Sequence, residues 1–151
     1  MRTAQEWLDA YGESHQNPIN KKIHWVCIPW IMISLFGLLA CLPNPFDADW
    51  MHWGTVAAIL GVSYYLTMSV SLAIGMGVVS AVMLAIVQLL AGLSIPLWIS
   101  SSVIFVVAWI FQFMGHKIEG KKPSFVEDLQ FLMIGPMWLL AALYRRMGIG
   151  Y

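Results

Sequence analysis

Long apolar runs, broken at a few places by proline, glycine and small clusters of polar residues, dominate this chain. A membrane-crossing helix needs about 20 mainly apolar residues, and the stretch near 24–42 qualifies. Pro43-Asn44-Pro45 ends it, because proline removes a backbone donor and restricts the residue before it. Asp47 and Asp49 mark a wet loop. The apolar stretch from Trp53 to about Ala91 is too long for one crossing. Gly75-Met76-Gly77 is the expected break, giving spans near 53–72 and 77–92. Gly92 to Pro96 is the next turn, with Pro96 suited to a first helical position, and a fourth span runs near 95–115. The last apolar run, near 129–144, is interrupted by Gly135-Pro136 and ends in Arg145-Arg146. It reads as a helix in the membrane interface or partly inserted. The expected fold is therefore an all-α, multi-pass membrane helix bundle of about four spans plus that C-terminal helix, in one domain, 1–151.

The N-terminal segment is polar where a cleavable signal would be apolar. Glu6, Asp9 and Glu13 fall within it, so the first span is expected to stay as an anchor. Thr3 to Glu13 reads as an amphipathic helix on the membrane surface, with Trp7, Leu8 and Tyr11 on one side.

Composition agrees with the membrane reading. Hydrophobic residues make up 60% of the chain and charged residues 11%, and the mean hydropathy is +0.73. The formal net charge is zero, so nothing favours nucleic acid. From Trp50 to His116 there is no Asp, Glu, Lys or Arg. Lys21-Lys22 precede the first span and Lys117, Lys121 and Lys122 follow the fourth. Four crossings place both groups on one side, the cytoplasmic one. The compact chain points to a bacterial inner membrane. Cys27 and Cys41, on one helix, lie about 21 Å apart, too far for a disulfide, and read as buried apolar thiols.

Two polar motifs flank this uncharged interior: His15-Gln16-Asn17-Pro18-Ile19-Asn20-Lys21-Lys22-Ile23-His24, and Gly115-His116-Lys117-Ile118-Glu119-Gly120-Lys121-Lys122-Pro123. With an even number of crossings between them, His15, His24 and His116 meet on one side. Three neutral imidazoles can hold Fe(II), Zn(II) or a related ion and leave positions open. Asn20 is the expected N-cap of the first span, which puts His24 in the first helical turn, where the dipole disfavours protonation. Glu119, three residues after His116, can ligate the metal or orient a ligand. Asn17, Asn20 and Asp128 are further polar candidates around the ligands. Lys117, Lys121 and Lys122 suit a lipid carboxylate or an anionic headgroup. The remaining histidine, His52, reads as an interfacial belt residue with Trp50 and Trp53. Gln88 and Gln112, polar within spans, are expected to form interhelical hydrogen bonds or to line a cavity. No GxSxG elbow, HExxH pair or Gly-rich phosphate loop occurs.

These motifs resemble a known family. His15-x-Asn17-Pro18-x-Asn20-x-x-x-His24 before a proline-containing span is similar to its N-terminal motif. Trp109-Ile110-Phe111-Gln112-Phe113-Met114-Gly115-His116, with Glu119-Gly120-Lys121-Lys122-Pro123 and Asp128-Leu129, is similar to its C-terminal motif. The family takes its name from the metabolism of phytosphingosine to odd-numbered fatty acids. The resemblance spans about Tyr11 to Gly148. It implies an Fe(II)-dependent membrane dioxygenase of fatty-acid α-oxidation, converting a long-chain 2-hydroxy fatty acid and O2 to the acid one carbon shorter. It also implies catalytic roles for His15, His24, His116 and Glu119, and an endoplasmic-reticulum location in a eukaryote. The family usually has one more residue between the histidine and the glutamate than His116-Lys117-Ile118-Glu119 shows. Two other classes remain open: a non-enzymatic haem-binding or transport protein, and a zinc-dependent lipid hydrolase.

Overall fold

A computed structural model describes residues 2–48, 50–120 and 125–151, with side chains of 125–131 excluded. Asp49, Lys121, Lys122 and the Asp128 side chain thus lie outside the described residues. The chain forms α1 (Ala4–Glu13), α2 (Pro18–Ala40), α3 (Trp53–Leu66), α4 (Val70–Ala91), α5 (Leu97–Glu119) and α6 (Phe125–Met147), with no strand among the described residues.

Three of these helices, α2, α4 and α5, are long and apolar enough to cross a membrane, one fewer than the four expected. The expected span near 53–72 is the 14-residue α3, about 21 Å long against a hydrocarbon core of about 30 Å. Its end is also misplaced by the reading from glycines. The chain breaks at Thr67–Ser69, where the Ser69 hydroxyl accepts from Leu72 N–H and caps α4. Gly75 and Gly77 lie inside α4. Gly75 is there for close packing: a Cβ on it would run into the Tyr144 hydroxyl of α6, and that hydroxyl donates to the Ser71 carbonyl at 3.0 Å.

α2 is the hub, packing on α3, α4 and α5. Its antiparallel contact with α5 is closed by small residues at both ends. A Cβ on Gly37 would strike the Ser101 hydroxyl, and one on Gly115 would strike the Asn20 side-chain oxygen. The outer face of α5 leaves Val103, Val106, Ile110 and Phe113 exposed, surface that a bilayer would solvate.

α6 lies across the end of the bundle where α2 and α4 begin. Met133 accepts a hydrogen bond from the Tyr65 hydroxyl at 2.6 Å, Gly135 faces Ile28 and Tyr11, and Tyr144 reaches Ser71. The Arg146 guanidinium stands over the Trp25 ring at 5.8 Å. These partners lie on α1, on the first halves of α2 and α4 and at the C-terminal end of α3.

The apolar side of α1 faces protein and not lipid. Thr3 and Glu6 form a capping box at its start, and Leu8 and Tyr11 are buried in one cluster with Trp138 and Met137 of α6. Two further expectations change. His52 is the N-cap of α3, its Nδ1 accepting from Thr55 N–H at 3.3 Å; it is buried, while Trp50 beside it is exposed. Cys27 and Cys41 are both free thiols, but only Cys27 is buried.

Replacing Gly75 by alanine should lower the melting temperature in detergent, since Tyr144 would have to leave its place between α4 and α6. At Gly77 an added Cβ would find nothing within 4 Å. That position tolerates the same change and gains helix propensity of up to about 1 kcal/mol. Equal melting temperatures for the two variants would contradict this packing.

Candidate metal centre

Three segments deliver the histidines to one end of the bundle. α1 stops at Glu13 and α2 starts at Pro18. Asn17 is the N-cap, with its side-chain oxygen accepting from Ile19 N–H at 2.9 Å and Pro18 following at the first helical position. Asn20, the expected cap, lies inside α2. His24 is therefore in the second turn, and its tautomer is fixed by its own hydrogen bond. His15 comes from the short α1–α2 connection, and His116 from the last turn of α5.

The ligand atoms of His15, His24 and His116 all lie within 4.8 Å of one another. His15 and His24 are about 1% and 0% exposed; His116 is half-buried. Hydrogen bonds fix the tautomers of the two buried rings. His15 Nδ1 lies 2.6 Å from the Tyr11 carbonyl, and His24 Nδ1 lies 3.0 Å from the Asn20 carbonyl. A carbonyl only accepts, so each Nδ1 must carry the proton. Both Nε2 atoms are then bare lone pairs, and they face each other at 2.9 Å. Two acceptors at that distance repel unless a cation lies between or beside them. This is the donor set a metal requires, with the second nitrogen of each ring anchored to the backbone. Burial pushes the His15 imidazole down to about 4, so it is neutral and able to ligate at physiological pH.

Glu119 does not join the three rings. Its carboxylate accepts from Gln16 N–H at 2.7 Å, from Asn17 N–H at 3.0 Å and from the Asn20 amide at 2.9 Å. One carboxylate on α5 thus clamps the loop carrying His15 and the turn of α2 whose carbonyl orients His24. Gly120, in the left-handed region at φ 74°, ends α5 immediately after it. Asn17 and Asn20 serve this clamp, while Lys117 is exposed.

Sequence reasoning missed two neighbours. Tyr11 stacks on His15 with ring centroids 4.0 Å apart, and Trp138 of α6 stands 5.8 Å from the same ring. Tyr11 is four residues before His15 and its role was locally legible; Trp138 offers no local signal. His15 also borders an open cavity of about 370 Å³, whose lining includes Lys21, Arg145 and Trp138 as well as the acidic Asp9 and Glu13.

The fold and the site together define a helical protein with membrane-length apolar helices and a buried histidine cluster able to hold a metal ion. Residues 1–147 match the family described as 2-hydroxy-palmitic acid dioxygenase Mpo1-like, and the chain belongs to that family. No curated protein and no solved structure matches it.

Removing the Glu119 carboxylate frees the His15 loop and the Asn20 turn together. Glu119→Ala should weaken metal binding by about 10–100-fold, the range for groups that orient ligands, as measured by competition with a chelator. Unchanged affinity would show that the clamp does not set the ligand geometry.

Proposed function

We propose that the protein is an Fe(II)-dependent dioxygenase that shortens a long-chain 2-hydroxy fatty acid by one carbon with O2. The observation that carries this reading is the pair of bare Nε2 atoms 2.9 Å apart, in a chain of this family. His15, His24 and His116 are the proposed ligands. When bound, Fe(II) supplies the chemistry with O2 that no amino-acid side chain offers.

The chain's own residues bind and orient. The Tyr11 and Asn20 carbonyls hold the two buried rings in one tautomer. Glu119 holds the segments that carry them. Trp138, Tyr11 and the α2–α5 contact keep water from the buried side of the cluster. The cavity beside His15 offers Lys21 and Arg145 to a carboxylate arriving from the headgroup layer. The acyl chain then extends along the apolar helix faces, in membrane lipid.

A haem carrier fits poorly. Two axial nitrogens on opposite faces of a porphyrin stand about 4 Å apart, given metal–nitrogen bonds of about 2 Å; His15 and His24 are closer than that. A transport role finds no Asp, Glu, Lys or Arg from Trp50 to His116 to line a path,.

The overall reaction balances for one O2 per substrate if C1 leaves as carbon dioxide and one water forms. An isotope label at C1 of 2-hydroxypalmitate should therefore appear in carbon dioxide, and a label at C2 in the carboxyl of the shortened acid. Label from C1 retained in the fatty acid would exclude the reaction.

A further inference from the structure

Gln112 is 7% exposed, and its amide oxygen is fully enclosed without a hydrogen-bond partner. A buried amide left unpaired costs about 1–3 kcal/mol, so the position needs a reason. Gln112 lies one turn before His116 on the uninterrupted α5, and so on the same face,. The register of α5 on α2 places it further. Gly115 faces Asn20 and Ile23, and Ser101 faces Gly37. The α2 turn carrying His24 therefore lies opposite Gln112. Gln112 thus sits at the level of the histidine cluster, on the part of α5 that packs on α2.

Resting on the proposed dioxygenase reading, we infer that Gln112 is the specificity residue for the 2-hydroxyl group: its amide oxygen accepts the hydrogen of that hydroxyl. A hydroxyl oxygen keeps lone pairs for a metal while its O–H donates elsewhere. A plain fatty acid has no such donor and leaves the Gln112 oxygen unpaired in the complex. Sites with a buried polar group matched to one substrate hydroxyl reject the analogue lacking it for that reason.

The test is equilibrium binding to anaerobic, Fe(II)-loaded protein in detergent, with no turnover. Wild type should bind 2-hydroxypalmitate more tightly than palmitate. Gln112→Met should reduce that preference about tenfold, or about 1.4 kcal/mol, with palmitate affinity and iron content kept. A purely structural role would weaken both acids alike, and that result overturns the inference. 2-Methoxypalmitate, which keeps the oxygen but lacks its hydrogen, supplies a measurement that needs no variant. It should bind wild type no better than palmitate; a retained preference for it overturns the inference even where Gln112→Met fails to fold. Wild type that does not distinguish 2-hydroxypalmitate from palmitate overturns the dioxygenase reading and this inference with it.

Discussion

His24→Ala is expected to strip the protein of bound iron and to bring substrate-dependent oxygen uptake to background. Groups that only orient a ligand change metal affinity about 10–100-fold, so losing a ligand should exceed that range. The variant separates a metal site from a structural histidine cluster through its stability. His24 is fully buried, so His24→Ala also removes some packing. Metal binds only the folded wild-type site and stabilises it by mass action. Adding Fe(II) anaerobically should therefore raise the melting temperature of wild type and leave that of His24→Ala unmoved. Equal rises in both proteins would place the metal elsewhere.

The second large effect comes from one methyl group. Gly115→Ala should lower both thermal stability and metal affinity, although alanine is the better helix former by about 1 kcal/mol. The added Cβ would meet the Asn20 side-chain oxygen. Asn20 has no room to yield: it is fully buried, its amide nitrogen is tied to Glu119 and its carbonyl orients His24. The strain must move α5 away from α2 beside His116. Overpacking of this kind costs about 1–3 kcal/mol, and a misplacement of about 1 Å at a reacting centre can cost about 100-fold in rate. Gly115→Ala with wild-type melting temperature and iron affinity would show that the contact between α2 and α5 does not set the site.

The histidine cluster was legible because polar residues are costly at the edge of an apolar bundle and three of the four histidines fall in two polar motifs there. An even number of crossings was the expected reason for the motifs to meet; the three histidines do meet, although only three helices have membrane-spanning length and α3 is shorter than a full span. It still returns the chain to the site end, as the Tyr65 bond to Met133 shows. The cap of α2 was misread: Asn20 was expected, whereas the cap is Asn17, the residue that proline at the first helical position marks,. The Gly75 reading failed for a non-local reason. A glycine that breaks a helix and one that admits a distant tyrosine look alike in sequence, and Tyr144 is on another helix. Trp138 beside His15 and the face of α1 buried on α6 depend on the same kind of long-range contact. Gln112 was expected to pair between helices, as was Gln88. Among the described residues neither does: Gln88 is exposed and the Gln112 oxygen is enclosed without a partner.

The most direct test of the central claim is oxygen consumption by anaerobically purified, iron-loaded protein when 2-hydroxypalmitate is added. Uptake matched mole for mole by the acid one carbon shorter, and lost in His15→Ala, His24→Ala and His116→Ala, is the predicted result. Iron-loaded, folded protein that binds 2-hydroxypalmitate but consumes no oxygen, or a site that retains only zinc and turns over without oxygen, would contradict it.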